Sequence, residues 1–481
     1  MSQQFSSKVI YSSLGWKMFE RICSQGINLA IQIILARILA PSYFGALAII
    51  LSIINFAGIF VQSGFATAII QKKDIDDKDI NTLLTASLFI ALILCILLSV
   101  LSPYIAKAYD SPQLKWPLRV LSLILIFNAI NSVQTAILSR KMKFRQLFLR
   151  SIIAVPLSGI IGIVMAYFDF GLWALVTFTL TNVLFTVILM SFFSDYRIKI
   201  EFDPIRFKKM FAFCGNILMS SLVCGFGDTL RTLTIGKEYN QDDLAFYDKA
   251  YTYSSFFTQI ITSSITSVLL PVFSRTQDNM DELRTKTRRS VKVTAFCIIP
   301  FLTIIITIAS PFVHLLLTEK WMPCVPFLVV FCVLRVPGCL ASIDKQVYFA
   351  LGNSRINFFY ECGLLVANVS MLFLTVPLGV RQIALGYLTV EILGCLTIFI
   401  VSSKVYGYSL GMRIKDIWKP IVSSVVLYIV FSLPVFTLQS DLLTMLIKVM
   451  GGILVFLLIE TILRDDNIQY IMNVLKQQIK K

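Results

Sequence analysis

The sequence is poor in charge, in histidine and in paired cysteines. Only 15% of its 481 residues are charged, and its one histidine is His314, whereas about a quarter of the residues of a soluble domain carry charge. Its ten cysteines stand singly, and the lack of a Cys-x-x-Cys pair argues against a structural zinc site or a disulfide framework. The sequence also has no phosphate-binding glycine loop. We therefore expect neither a soluble catalytic domain nor a nucleotide-binding domain.

Long apolar runs are what the sequence does contain. Hydrophobic residues make up 57% of the chain, and the mean hydropathy is +0.80. The runs are about 20 residues long, enough for a helix to cross a hydrocarbon core of about 30 Å. This pattern predicts an all-α polytopic membrane protein with about fourteen transmembrane helices. The net charge of +16 lies in short stretches between spans, so topology explains it better than a nucleic-acid partner.

Lysine and arginine are concentrated in alternate connections between the spans. The basic connections are 71–79, 140–150, 197–209, 275–292 and the C-terminal tail. Cytoplasmic connections carry the excess of positive charge in membrane proteins. The pattern predicts that both termini are cytoplasmic. The N-terminus lacks a compact signal peptide with a small-residue cleavage site, so we expect the first span to be an uncleaved anchor.

A weak repeat divides the sequence. Arg37 lies seven residues before the pair Phe44-Gly45, and Lys237 lies seven residues before Leu244-Ala245, an offset of 200 (237 − 37). The offset corresponds to six spans, so it predicts two pseudo-symmetric six-helix lobes, 1–205 and 206–405, followed by two extra helices and a cytoplasmic tail in 406–481. Paired bundles of this kind are a common transporter design.

The first span carries a polar stripe. Lys17, Arg21, Gln25, Asn28 and Gln32 share one helical face, with Glu20 at its edge. A central Lys or Arg costs about 2.5–3.5 kcal/mol on insertion scales, so this face is expected to turn away from lipid. Snorkelling of the two cations to the head groups is the alternative, but it leaves the deeper amides unexplained.

Later spans also contain charged side chains. Asp228 and Arg231 are spaced to form an ion pair, with either a structural or a functional role. Arg335 precedes Pro337-Gly338, which predicts a break in the tenth span. The surplus of positive charge suits an anionic cargo that carries phosphate. The predicted substrate-binding residues are Lys17, Arg21, Asn28, Arg231, Arg335 and Lys345, and the predicted ion-coupling acids are Glu20 and Asp228.

Five stretches resemble a known family. They are LARILAPSYFGALAI (35–49), GFATAIIQKKD (64–74), FGLWALV (170–176), IGKEYNQDDLAFYDKAYTYSSFF (235–257) and LLPVFSRTQDNMDELR (269–284). The sequence resembles the polysaccharide-biosynthesis flippases for O-antigen and exopolysaccharide repeat units, within the multidrug/oligosaccharidyl-lipid/polysaccharide exporter superfamily. The motif positions are Arg37, Pro41, Phe44, Gly45, Lys237 and Lys249. Ala40 and Ala245 depart from the family pattern, which often has glycine there.

The resemblance implies a MATE-like fold with a central cationic cavity in the bacterial inner membrane. It implies transport of undecaprenyl-diphosphate-linked oligosaccharides for O-antigen, capsule or exopolysaccharide synthesis by alternating access. Membrane lipid and the polysaccharide polymerase and chain-length machinery are the other expected partners, and nucleic acid is not one. No cofactor is expected; Na⁺ or H⁺ coupling and consumption of the flipped product are alternative energy sources. A multidrug exporter, a peptidoglycan-precursor flippase and a polymerase or ligase enzyme remain competing interpretations.

Overall fold

The computed structural model describes residues 7–62, 64–72, 75–193, 199–436, 438–464 and 467. Within these ranges the chain forms helices joined by short turns and no β-strand. The first helices are α1 (Ser7–Ile38), α2 (Pro41–Gln62), α3 (Phe65–Gln71), α4 (Asp77–Ala108), α5 (Lys115–Ser122), α6 (Ile124–Arg140), α7 (Phe144–Tyr167) and α8 (Leu172–Phe193). They are followed by α9 (Pro204–Glu238), α10 (Gln241–Ser274), α11 (Met280–Leu317), α12 (Val325–Ala350), α13 (Ser354–Thr375), α14 (Val380–Tyr406), α15 (Leu410–Ser432) and α16 (Asp441–Ile462).

The helices have the length and apolarity of membrane spans. In the described ranges, ten helical segments of 22 to 38 residues are long and apolar enough to cross a membrane. The other long helices, α1, α9, α10 and α15, have 32, 35, 34 and 23 residues. The predicted all-α membrane fold is confirmed, and the helix lengths are compatible with about fourteen spans.

Short acidic side chains determine where α4 and α9 begin. The Asp76 carboxylate accepts the backbone N–H of Asp79, and the Asp79 carboxylate accepts the N–H of Asp76. Asp203 accepts two backbone N–H groups from the first turn of α9, where Pro204 is the first residue. Proline is favoured there because its missing N–H would have no helical partner. These caps place several carboxylates in connections that are otherwise basic.

The order of helices repeats as the sequence predicts. Leu39-Ala40 connects α1 to α2, and Tyr239-Asn240 connects α9 to α10, 200 positions later (239 − 39). Later turns also match, because Met142 before α7 and Gly352 before α13 both have positive φ, 55° and 71°. In the described part of the chain, six long helices, α1, α2, α4, α6, α7 and α8, with the short α3 and α5 between them, are thus followed by a second set of six, α9 to α14, and then by α15 and α16.

Packing divides the chain into two compact units, Met1–Ala245 and Phe246–Lys481. The division falls after α9 because this helix packs along α2 inside the first unit. The predicted domains 1–205, 206–405 and 406–481 follow the sequence repeat instead, and they stay a prediction.

Two glycines allow helices of the first unit to approach closely. A Cβ at Gly45 would lie 1.8 Å from the carbonyl oxygen of Gln241, so the start of α2 packs on the backbone of α10. A Cβ at Gly159 would lie 2.3 Å from Cδ1 of Ile31, where α7 packs on α1. The motif glycine at 45 is the stricter requirement, because a backbone oxygen cannot rotate away as a side chain can.

Arg119 compensates for a proline in α4. Pro103 has no N–H, so the carbonyl of Ser99, four residues earlier, loses its helical donor. Arg119 Nε donates to this carbonyl oxygen at 3.0 Å and to Ser102 Oγ at 2.8 Å. One of the cations that the sequence places inside a span therefore stabilises a proline-containing helix.

Lys448 has the equivalent role in the second unit. Pro311 lies near the end of α11, as Pro103 lies near the end of α4, and it deprives the Thr307 carbonyl of its helical donor. The buried Lys448 of α16 donates from Nζ to this oxygen at 3.2 Å. Here the cation comes from α16, one of the two extra helices, and it supplies the hydrogen bond that Pro311 removes from α11.

A buried ion pair attaches α15 to α12. The Nη1 and Nη2 atoms of Arg413 donate to the Asp344 carboxylate at 3.0 and 2.5 Å. Both side chains are almost fully buried, at 1% and 0% exposure. The hydroxyls of Ser402 and Tyr406 donate to the same carboxylate. The Asp344 carboxylate thus accepts hydrogen bonds from both α14 and α15, and it holds α15 in the second unit.

Candidate functional site

The polar stripe predicted on α1 lies partly within the described residues. The side chains of Lys17 and Arg21 lie outside the described residues. Asn28 is half-buried, and its Oδ1 has no hydrogen-bond donor within the described part of the chain. The cationic role of the stripe therefore stays a prediction.

Glu20 shows which helix the edge of the stripe faces. Its Oε1 accepts a hydrogen bond from Ser151 Oγ of α7 at 3.2 Å. One residue earlier, the ring of Phe19 packs on that of Phe148, with centroids 5.1 Å apart. The first half of α7 is therefore the neighbour of this acid.

Arg150 on α7 is the cation closest in sequence to that contact. Its Nη1 donates to Asn131 Oδ1 at 2.9 Å and to Thr135 Oγ1 at 3.1 Å, both on α6. Its Nε is buried and makes no hydrogen bond in the described ranges. Glu20 is near enough to act on this guanidinium electrostatically. The arrangement leaves Arg150 with neutral hydrogen-bond partners and spare donors.

A polar cavity of about 330 Å³ opens in front of Arg150. We call it the Arg150 chamber. It lies in the first unit, and most of its lining can donate or accept hydrogen bonds. The lining residues are Gln62, Ala66, Ile70, Asn128, Asn131, Ser132, Thr135, Ala136, Ser139 and Arg150. Amides, hydroxyls and one guanidinium suit sugar hydroxyls and phosphate oxygens.

This chamber was not predicted from the sequence. Arg150 falls at the end of the predicted basic connection 140–150, whereas α7 already begins at Phe144 and Arg150 lies within its second turn. A signal was present in α6, where Asn128, Asn131 and Thr135 recur at helical spacing. That polar face resembles the α1 stripe but carries no charge.

Asp228 and Arg231 of α9 form the ion pair that their spacing allows. Arg231 Nη2 lies 2.6 Å from Asp228 Oδ1. The arginine is buried, whereas the carboxylate is more than half exposed. The pair confirms the expected contact, and the coupling role of Asp228 stays a prediction.

Arg335 of α12 contacts α10 in the second unit. Its guanidinium lies 4.5 Å from the ring centroid of Tyr251 and donates to the Tyr251 carbonyl at 3.3 Å. It also donates to the hydroxyls of Ser254 and Ser255. Like Arg150, it is held by neutral groups.

The predicted break after Arg335 is wrong. The α12 helix continues from Val325 to Ala350 with Pro337 inside it. A proline removes one helical hydrogen bond, and neighbouring helices can compensate for that loss in a membrane. Gly338 has a different role, since a Cβ there would lie 3.0 Å from Glu391 Oε1. The glycine makes room for an acid of α14.

Lys345 is separated from Arg335 by about 15 Å along α12, at 1.5 Å per residue. Its Nζ lies 2.5 Å from Glu361 Oε1 and 4.9 Å from the ring centroid of Tyr360, both on α13. The structure therefore gives Lys345 an acidic partner and places it at a different level from Arg335.

The motif positions lie at helix ends. Pro41 is the first residue of α2, and Phe44 and Gly45 are buried in its first turns. Arg37 and Lys237 are exposed near the ends of α1 and α9. Lys249 is buried in α10, beside Asp248 and Cys324. The start of α2, which contains Pro41 and Gly45, packs on the start of α10 just after Lys237, whereas Lys249 lies about two turns further along α10.

Comparison with known proteins places this architecture in a family. The family model described as "Polysaccharide biosynthesis protein" matches residues 34–326, which is more than half of the chain. The chain belongs to this family. The predicted resemblance is therefore confirmed, and the matched residues include those that line the Arg150 chamber.

Three relatives share sequence with this polysaccharide biosynthesis protein. The lipopolysaccharide biosynthesis protein WzxC of Escherichia coli (strain K12) is 24% identical over 85% of this chain and 84% of its own. The teichuronic acid biosynthesis protein TuaB of Bacillus subtilis (strain 168) is 24% identical over 84% and 85%. The succinoglycan biosynthesis transport protein ExoT of Rhizobium meliloti (strain 1021) is 23% identical over 67% and 65%.

Two solved structures share the fold of this polysaccharide biosynthesis protein. The lipid II flippase MurJ in an inward closed conformation has a TM-score of 0.77 at 17% identity, covering 94% of this chain and 99% of MurJ. An inward-facing MATE multidrug transporter of the MOP superfamily has a TM-score of 0.61 at 16% identity, covering 82% and 94%. The predicted MATE-like fold is confirmed.

Proposed function

We propose that this protein is a flippase for lipid-linked oligosaccharides. Its cargo is an undecaprenyl-diphosphate-linked repeat unit, which it moves across the bacterial inner membrane by exposing a polar site to each face in turn. The observation that carries this proposal is the Arg150 chamber, a polar cavity with one guanidinium inside an apolar helical unit. Family membership and the printed names of the relatives, which concern polysaccharide synthesis and transport, support the same class of cargo.

The chamber fits a phosphorylated sugar better than an apolar drug. Arginine binds phosphate through parallel N–H groups in a planar fork. Two unit charges 4 Å apart interact by about 4 kcal/mol at an effective dielectric constant of 20. The hydroxyl and amide side chains of α6 match sugar hydroxyls, which both donate and accept hydrogen bonds. The protein is thus a carrier of an anionic glycolipid and not an enzyme acting on it.

The chain is a multi-pass membrane protein. Its location in the inner membrane, with both termini cytoplasmic, is our proposal from the distribution of basic residues. Association with a polysaccharide polymerase and its chain-length machinery is also proposed, since a flipped repeat unit needs an enzyme that consumes it.

Reconstitution tests the proposed function. Full-length protein in proteoliposomes would receive a fluorescent polyprenyl-diphosphate oligosaccharide, the same lipid without sugar, or a cationic dye. A membrane-impermeant quencher measures transfer between leaflets. We expect at least tenfold faster transfer of the oligosaccharide lipid than in empty liposomes and no dye transport. Dye transport without lipid transfer would contradict the proposal and support a multidrug exporter.

A further inference from the structure

A second cavity of the first unit lies where the connection before α4 meets the start of α9. Its volume is about 670 Å³, twice that of the Arg150 chamber. We call it the Arg206 cavity. Three cations, two carboxylates and three apolar side chains line it. The residues are Ala68, Lys72, Asp79, Asp203, Ile205, Arg206, Lys209 and Met210.

The carboxylates of this region hold Arg206 in place. Its Nη1 lies 2.7 and 2.6 Å from the two carboxylate oxygens of Asp76 and 3.1 Å from Asp79 Oδ1. Its Nε lies 3.3 Å from Asp203 Oδ2. Lys72 pairs with the other oxygen of Asp79. The ion pairs therefore link the connection before α4 to the first turn of α9.

These cations retain capacity for another anion. Arg206 uses Nη1 and Nε, and its Nη2 has no partner in the described ranges. Lys209 makes neither a hydrogen bond nor an ion pair there and is exposed. Arg206 itself is 35% exposed, and partly exposed ion pairs are weak and exchange with competing ions. The apolar wall of Ala68, Ile205 and Met210 lies beside this charge.

We propose that the Arg206 cavity is a docking site for the phosphate head group of a lipid. The phosphate oxygens replace Asp76 and Asp79 around Arg206 and gain Lys209, while the first part of the lipid chain lies on the apolar wall. The identity of this lipid as the cargo rests on the proposed function. A phospholipid offers the same phosphate chemistry, and the experiment below separates the two.

Occupation of the cavity has a structural consequence for α9. Arg206 Nη1 cannot hold the carboxylates of Asp76 and Asp79 and a phosphate oxygen at the same position, so docking releases the ionic link between the connection and α9. The other end of α9 is held differently, because Tyr109 Oη donates to the Leu233 carbonyl at 3.1 Å. Burial raises the pKa of Tyr109 to about 12, so this donor stays protonated. An anionic lipid therefore loosens only the end of α9 near Arg206.

Binding of farnesyl diphosphate to the full-length protein in neutral phosphatidylcholine nanodiscs tests the proposal. We expect Arg206→Gln to weaken binding at least tenfold and Lys209→Gln to weaken it about threefold. Lys208→Gln removes the same charge next to the cavity and is the matched control, expected to stay within twofold. Asp76→Asn removes a competitor of the phosphate and should tighten binding about threefold, which a folding defect could not do.

Other ligands identify the occupant. Inorganic diphosphate should bind at least tenfold more weakly than farnesyl diphosphate, because it lacks the apolar chain. Phosphatidylglycerol is then included in the bilayer of the nanodisc that holds the protein. If it displaces farnesyl diphosphate as strongly as unlabelled farnesyl diphosphate does, the site is assigned to bulk phospholipid. Weak displacement would assign the site to a lipid diphosphate. Equal effects of Arg206→Gln and Lys208→Gln, or weaker binding by Asp76→Asn, would overturn the docking site. Lipid-glycan transfer by the wild-type protein, measured separately, decides the proposed function independently.

Discussion

At the scale of single residues, the chamber depends on how Arg150 is oriented. Both of its acceptors, Asn131 and Thr135, lie on α6 and are contacted by the same Nη1 atom. Because Nε is buried, Nη2 is the donor that the guanidinium can offer to a phosphate. A lysine at this position keeps the charge but lacks the planar fork.

We predict that Arg150→Gln lowers the rate of lipid-oligosaccharide transfer at least tenfold in proteoliposomes, and that Arg150→Lys gives an intermediate rate. Arg145→Gln is the matched control, since Arg145 is exposed on the same helix. The amount and melting temperature of each reconstituted variant should be measured with the rate. Equal rates for the Arg150→Gln and Arg145→Gln variants would exclude the chamber from the transport path.

Gly45 gives a prediction about stability. Gly45→Ala places a methyl group 1.8 Å from the Gln241 carbonyl oxygen, and overpacking of this kind costs about 1–3 kcal/mol. Gly26→Ala is the control, because its Cβ would meet nothing within 4 Å and alanine favours a helix by about 0.5–1 kcal/mol over glycine. Thermal melting in detergent should show a lower midpoint for the first variant only. An unchanged midpoint for Gly45→Ala would mean that α2 and α10 can separate without cost.

The scale of helices explains why the sequence revealed the fold better than the site. Apolar runs determine spans locally, so helices such as α8 and α14 could be predicted from their own residues. The partners of Arg119 and Lys448 could not, because a carbonyl freed by proline is visible only when another helix packs on it. Arg150 was missed for a related reason, since its assignment depends on the residue at which α7 begins.

The contact between α16 and α11 permits a double-mutant cycle. Lys448→Met leaves the Thr307 carbonyl without a donor, at a cost of about 1–3 kcal/mol. Pro311→Ala returns a backbone N–H to that carbonyl, so Lys448→Met should cost much less in the Pro311→Ala background. The free energy of unfolding in mixed micelles measures both costs. Additive effects of the two substitutions would show that Lys448 does not compensate for Pro311.

At the scale of the whole molecule, the repeat and the basic connections predict one topology. Lys107 lies in the last turn of α4 and Lys141 directly follows α6, and both side chains are exposed. In a cysteine-free background, a periplasmic thiol reagent should label Lys107→Cys and should label Lys141→Cys only after permeabilisation. Prior permeabilisation of both strains provides the control for reactivity. The reverse labelling would invert the orientation of the chain.

The way α15 and α16 are attached has a consequence for the history of such chains. Arg413 of α15 neutralises Asp344, and Lys448 of α16 donates to the Thr307 carbonyl. Loss of this helix pair would leave the buried Asp344 carboxylate without its cation, and breaking a buried ion pair in this way costs about 3–5 kcal/mol. If α15 and α16 were added to a twelve-helix ancestor, the buried ion pair alone would make their later loss destabilising, whatever they contribute to activity. Related chains that end after α14 should therefore carry an uncharged residue at the position of Asp344 and a residue other than proline at the position of Pro311.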